Sequence, residues 1–246
     1  MIRSRPVWPI TEKERQTMIK NIFLDAGGVI LDETEFEEKS AIIITEIIGN
    51  YKNNYTFEDY WHDIDEAVYR FVPKVYDYIL FKHIKNHDDF KKVKIIYKEK
   101  LNQSGKNFKI TEGLKDFLIQ FSSLYKIGIL GQYGAELREY LETKGMLHYF
   151  TYTVTQEKYT ITKPDPGYFR AILNDCNCIA GQSIMIGDRI DKDIIPAKLT
   201  GMKTIRLKTG IHKNQEPRTP DEIPDYTFAK LGDITEKTIR TLDHEN

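Results

Sequence analysis

The sequence predicts an α/β fold: a parallel sheet with helices between its strands, and an all-helical domain inserted after the first strand. Three observations carry this. Short apolar runs end in glycine-rich or polar turns at Ile22-Phe23-Leu24, at Ile127-Gly128-Ile129-Leu130 and at Ser183 to Ile186, as buried parallel strands do. From near Thr111 onward such runs alternate with helical spacing, the rhythm of an α/β domain. Between the first run and Thr111 the apolar spacing is mostly helical. The expected organisation is an N-terminal arm at 1–18, a core formed by 19–32 and 111–246, and a helical insert at 33–110.

The elements follow in order. The arm is polar and carries Pro6, Trp8 and Pro9. In the insert, Ile42, Ile43, Ile44, Ile47 and Ile48 share one helical face, which Gly49-Asn50 closes. Thr56 and Asp59 have the spacing of a capping box, opening a helix with Trp61, Ile64, Val68 and Phe71 as its apolar stripe. Pro73 interrupts the pattern, and Val75 to Ile84 and Phe90 to Leu101 give two further helices. In the core, Leu114, Phe117, Leu118 and Phe121 form a helix face, and residues 135 to 144 form a helix that stops at Gly145. Strands are expected at 152–155, 183–186 and 203–207, with helices starting at Pro166 and near Asp193; the tail adds a short strand and a last helix.

Composition narrows the function. The 246 residues are 40% hydrophobic and 30% charged, with a net charge of −1, which is the balance of a globular protein. No overall basic field draws the chain to nucleic acid or to an anionic membrane. No apolar run approaches the ~20 residues of a membrane span. Arg3 and Arg5 are not followed by the apolar stretch of a secretory signal. Cys176 and Cys178 have a spacing that suits neither an ordinary disulfide nor a complete zinc site. A reducing, cytoplasmic setting is the expectation.

Three strand ends offer polar groups: Asp25, the Gly131-Gln132 pair and Asp188. In open parallel sheets such ends lie side by side where ligands bind. Carboxylates gathered there repel one another unless a cation joins them, and oxygen donors with open water positions suit Mg2+. Asp193 is close enough in sequence to contribute, and Lys163 lies in a loop between two such strands, where an amine neutralises a carboxylate or holds an anion such as phosphate.

These segments resemble the haloacid dehalogenase (HAD) superfamily of hydrolases over most of the chain, from about Ile19 to Leu231. The first motif, an aspartate closing strand one, reads Asp25-Ala26-Gly27-Gly28-Val29. The second, a Ser or Thr at the next strand end, is replaced by Gly131 and Gln132. The third is Lys163-Pro164-Asp165-Pro166, and the fourth is Gly187-Asp188 followed by Asp193. The resemblance implies a Rossmann-like core with a helical cap. It implies Asp25 as nucleophile through an aspartyl-phosphate, and Mg2+ held by Asp25, the Gly27 carbonyl and Asp188, with Asp193 orienting the site. Lys163 would hold the nucleophile and a phosphate oxygen, and the Gly131 and Gln132 amides a further oxygen. The substrate would be a small phosphorylated metabolite.

The match departs from the family at Gly27. Family phosphatases carry there the Asp that protonates the leaving oxygen and then activates water. Asp32, Glu33 and Glu35 are nearby substitutes, Asp32 being the most readily read as structural. If only the acid is missing, Gly27→Asp should raise turnover of poor leaving groups. Two alternatives accompany the phosphohydrolase: a near-inactive binder or regulator of phosphometabolites, and a dehalogenase or phosphonatase, whose relatives also lack this Asp. Retention of Asp188 and Asp193 speaks against halide displacement.

Other signals have simpler readings. His83 and His87, one helical turn apart, belong to a solvated lysine-rich face. The lysines from Lys91 to Lys100 are interleaved with acids, as on a surface helix. The tyrosines of the insert pack, and the cysteines are inert.

Overall fold

A computed structural model describes residues 18–105 and 109–243. The expected arm, including Pro6, Trp8 and Pro9, lies outside the described residues except for Met18. The strands are β1 (Asn21–Leu24), β2 (Leu31–Asp32), β3 (Lys109–Ile110), β4 (Lys126–Ile129), β5 (Phe150–Tyr152), β6 (Ser183–Gly187), β7 (Lys203–Leu207) and β8 (Tyr226–Phe228). Six of them form one sheet in the order β5-β4-β1-β6-β7-β8, every neighbouring pair parallel. The strand holding Asp25 is thus central, between β4 and β6.

The period-2 alternation of a strand divides the apolar side chains between two faces. Ile22, Leu24, Ile127, Ile129, Ile184 and Ile186 join one buried cluster with helices α5 (Leu114–Phe121), α6 (Ala135–Thr143) and α9 (Glu236–Leu242). Phe23 and Met185 face the opposite way, onto α7 (Pro166–Asp175) and α8 (Ile195–Thr200). Helices therefore cover both faces, which is why the strands read as unbroken apolar runs.

Residues 34–103 contain α1 (Thr34–Gly49), α2 (Phe57–Tyr69), α3 (Val75–His83) and α4 (His87–Gln103), which enclose an apolar cluster of their own around Ile44, Ile48, Tyr60, Ile64, Ile79 and Leu80. Thr56 and Asp59 complete the capping box in both directions. Where this block leaves and rejoins the sheet domain, β2 and β3 pair antiparallel, Leu31 opposite Ile110 and Asp32 opposite Lys109. Each strand is only two residues long, too short to carry an alternation pattern in the sequence.

Several local expectations shift. The third core strand spans 150–152 rather than 152–155, because the Gln156 N–H donates to the Tyr133 carbonyl and turns the chain out of the sheet. Trp61 is 42% exposed, and Tyr60 is the fully buried aromatic of α2. The helix expected near Asp193 begins as a π-helical turn at Ile190–Ile194, where the N–H groups of Asp193 and Ile194 share the Arg189 carbonyl; such turns concentrate at functional sites. His83 is not solvated. Its Nε2 lies 2.6 Å from buried Asp63, which also accepts from Tyr55 and Lys82. His87 is exposed, as expected. No described helix is long and apolar enough to cross a membrane.

Candidate active site

Each expected site residue is set by a strand end or a helix start. Asp25 follows β1, and its N–H still donates to the Ile186 carbonyl of β6, so its position is bound to the sheet. Asp188 follows β6, and Gly131 lies just beyond β4. Asp165 caps α7 by accepting the Gly167 N–H at 2.7 Å, which fixes the loop carrying Lys163. The π-helical turn after β6 brings Asp193 back over the strand ends.

Carboxylate oxygens of Asp25, Asp188 and Asp193 lie within 4.8 Å of one another. The Lys163 ammonium donates to Asp25 Oδ1 at 2.6 Å and to Asp193 Oδ1 at 2.5 Å. The other Asp193 oxygen accepts the Arg189 N–H at 3.0 Å. Asp193, Asp188 and Lys163 are nearly inaccessible, at 1%, 5% and 6% exposure, whereas Asp25 keeps an opening. The Asp188 carboxylate has no hydrogen bond or ion pair among the described residues.

The electrostatics follow from this crowding. Burial, with the charges of Asp193 and Asp25, pushes the Asp188 carboxyl well above the usual carboxylate range. Burial also raises Asp25, against the pull of Lys163. Burial disfavours the Lys163 charge, but Asp193 and Asp25 outweigh it and keep the ammonium protonated. One buried ammonium faces three carboxylates. A buried, unpartnered carboxylate is costly, and an all-oxygen donor set is that of a hard divalent cation. The residues therefore fit a bound cation.

A cleft of about 520 Å³ opens from this cluster. The sheet domain contributes Asp25, Gly27, Gln132 and Arg189 to its wall; the helical block contributes Tyr76, Tyr97 and Lys98. Lys74, Lys98 and Lys192 line it without an acidic partner among the described residues. Gln132 is exposed to the cleft, and Gly131 is buried beside Asp25. The Tyr168 hydroxyl donates to the Gly131 carbonyl at 2.9 Å and steadies that turn.

Sequence reasoning missed Arg189, Lys192, Tyr168 and Arg206. Arg206 is 1% exposed, and its guanidinium donates to the carbonyls of Asp188, His212 and Lys213, tying the end of β6 to the 211–214 turn. An arginine between Ile205 and Leu207 in β7 was the only signal available. Glu33 also lines the cleft. Although it stays open to the cleft, the protein around it strips water from its carboxyl, and Asp25 and Glu37 repel its charge, so it is pushed up to about 7. Away from the site, the Cys178 thiol donates to the Cys176 carbonyl at 3.5 Å, and the neighbouring Cys176 side chain lowers it to about 7, which the sequence did not signal.

Residues 22–207 match the family model of haloacid dehalogenase-like hydrolases. A glyceraldehyde 3-phosphate phosphatase of Methanopyrus kandleri is 31% identical over 98 residues, which cover 40% of this chain and 42% of that protein. A glyceraldehyde 3-phosphate phosphatase of Pyrococcus abyssi is 25% identical over 208 residues, covering 78% of this chain and 83% of the relative. The chain thus spans about two fifths of the Methanopyrus protein and most of the Pyrococcus one. The HAD-family chain YfnB of Bacillus subtilis, bound to magnesium, shares the fold with a TM-score of 0.64 at 18% identity, covering 88% of this chain and 96% of that one. With a parallel sheet in this order, the aspartate at the end of its central strand, and a family match across most of its length, the chain belongs to the haloacid dehalogenase-like hydrolases.

Proposed function

We propose that this protein is a Mg2+-dependent phosphohydrolase of small phosphorylated metabolites, with Asp25 as nucleophile. The observation that carries the reading is the buried Asp188 carboxylate, unpartnered among the described residues and within 4.8 Å of Asp25 and Asp193. Asp25, the Gly27 carbonyl and Asp188 would hold the ion, with Asp193 behind them. Bound there, Mg2+ supplies charge to phosphate oxygens as negative charge shifts in the transition state.

The chain's own groups account for the remaining steps. An Asp25 oxygen attacks phosphorus, and the bond from phosphorus to the leaving oxygen breaks. Lys163 orients Asp25 and neutralises a phosphate oxygen. The Gly131 and Gln132 N–H groups bind another oxygen, in place of the family's hydroxyl. The helical block at 33–110 acts as the cap, since its residues close one wall of the cleft. The cleft volume and the cations Lys74, Lys98 and Lys192 support a small anionic substrate. The names of the archaeal relatives point the same way.

The test is phosphate release from acetyl phosphate and p-nitrophenyl phosphate, with and without Mg2+. Turnover that needs the ion and falls by on the order of 10⁴ or more in Asp25→Asn supports the reading. Gly27 and Gly131 favour a second reading, a phosphometabolite binder. Saturable binding without turnover would establish it, and halide release without Mg2+ would move the chain to the dehalogenases.

A further inference from the structure

We propose that Glu33 is the general acid and base of this active site, reaching from the start of the helical block into the space that a side chain at Gly27 would fill. The proposal rests on the phosphohydrolase reading above. A Cβ built on Gly27 would stand 2.8 Å from Glu33 Oε2 and 2.9 Å from both Cδ and Oε1. An aspartate's carboxyl carbon lies one further bond out, about 1.5 Å. The Glu33 carboxyl group therefore occupies the neighbourhood that an aspartate at 27 would supply, although its backbone is six residues away.

Glu33 has no structural task for that carboxyl. It is the N-cap residue of α1, yet its side chain makes no capping bond, and among the described residues it forms no other hydrogen bond or ion pair. Every other acid near this place is engaged. Asp32 accepts the Thr34 N–H and pairs with Lys109. Glu35 pairs with Lys39. Along the cleft, Glu37 accepts the Ile211 N–H, and Asp77 pairs with Lys94. Beyond the Asp25, Asp188 and Asp193 cluster, Glu33 is the one cleft-lining carboxyl left free among the described residues.

In the first step, Asp25 bonds to phosphorus while the bond to the leaving oxygen breaks, and protonated Glu33 gives its proton to that oxygen. In the second, the Glu33 carboxylate takes a proton from water as the water oxygen bonds to phosphorus. The Asp25–phosphorus bond breaks, phosphate departs, and Asp25 and protonated Glu33 are restored. If Glu33 already supplies the acid, Gly27→Asp adds none that is missing: its side chain would meet only the movable end of Glu33, so the single substitution should leave turnover of poor leaving groups without the rise expected if the acid were absent.

The test compares wild type, Glu33→Gln, and Gly27→Asp combined with Glu33→Ala, with Mg2+. The substrates are p-nitrophenyl phosphate, a good leaving group, and glycerol phosphate, a poor one. Glu33→Gln should lose about 10²–10⁴-fold on glycerol phosphate. With p-nitrophenyl phosphate it should keep a burst of one nitrophenol per enzyme and accumulate phosphorylated Asp25, since the second step lacks its base. The double variant should recover turnover. If wild type is active and Glu33→Gln matches it on both substrates, the acid–base role is overturned while the phosphohydrolase reading stands. A uniform loss with no burst and no recovery in the double variant also overturns the role. Wild type that turns over neither substrate removes both readings.

Discussion

Gly131 shows how one residue sets the limits of repair in this site. Family members carry a hydroxyl side chain at this place, and the resemblance leaves the Gly131 and Gln132 N–H groups to hold the phosphate oxygen in its stead. The structure shows that the loss has been built in. A Cβ on Gly131 would lie 2.7 Å from the Ala26 nitrogen and 3.0 Å from Asp25 Oδ1. The turn has closed onto Ala26 and Asp25, leaving no room for a side chain. Gly131→Ser should therefore not raise kcat/KM for any phosphoester, and should cost about 1–3 kcal/mol of stability through overpacking, read from chemical denaturation and from phosphate release.

At the level of elements, the helical block holds itself together with a polar network inside it. Asp63 on α2, 4% exposed, accepts from the Tyr55 hydroxyl at 2.7 Å and from the Lys82 ammonium at 2.5 Å, and faces His83 of α3 at 2.6 Å. Lys82 also pairs with Glu66. Burial works to raise the Asp63 carboxyl, but the bonds from Lys82, Tyr55 and His83 outweigh it and hold it below its usual value. A depressed carboxylate contributes fully above its unfolded pKa, near 4, and loses its contribution as pH falls through the lower folded value. Asp63→Ala should destabilise the protein by about 1–3 kcal/mol at neutral pH by leaving buried donors unpaired. The gap between variant and wild type should narrow as pH is lowered below about 4, as denaturant titrations at several pH values would show. The block is also fastened to the sheet domain: Arg189 donates to the Val72 carbonyl at 3.3 Å, and the Arg218 guanidinium stacks 3.6 Å from the Phe71 ring.

For the whole molecule, the central sheet and the proposed cation site are linked through charge. Three carboxylates meet where β1 and β6 end, with one buried ammonium against them, so on the proposed reading a divalent ion would offset their mutual repulsion when all three are ionised. An ion that binds only the folded chain stabilises it by about 2.7 kcal/mol at a hundred times its Kd. For a protein of this size that is a rise in Tm of roughly 5–10 °C. Calorimetry with Mg2+ and after chelation should show this rise, and Asp188→Asn should abolish most of it.

The sequence by itself determined the architecture and the chemical cast. Apolar runs ending in glycine, the Thr56–Asp59 capping box and the Pro166 helix start are local: each is dictated by backbone geometry within a few residues, so a one-dimensional reading reaches it. Asp25 and Asp188 were legible because strand ends of a parallel sheet must lie together, and Lys163 and Asp193 because each stands in a short motif beside such an end, Lys163-Pro164-Asp165-Pro166 and Gly187-Asp188 with Asp193. Only the tertiary structure decided which of Asp32, Glu33 and Glu35 lines the cleft with Asp25. Neighbouring residues differ little in composition, and their side chains diverge according to the turn between β2 and α1 and the partners each one meets. It also decided that Tyr60 rather than Trp61 is buried, and that Lys74, Lys98 and Lys192 share one cleft. Those outcomes depend on how the helical block sits against the sheet, a packing of distant surfaces that no local pattern encodes.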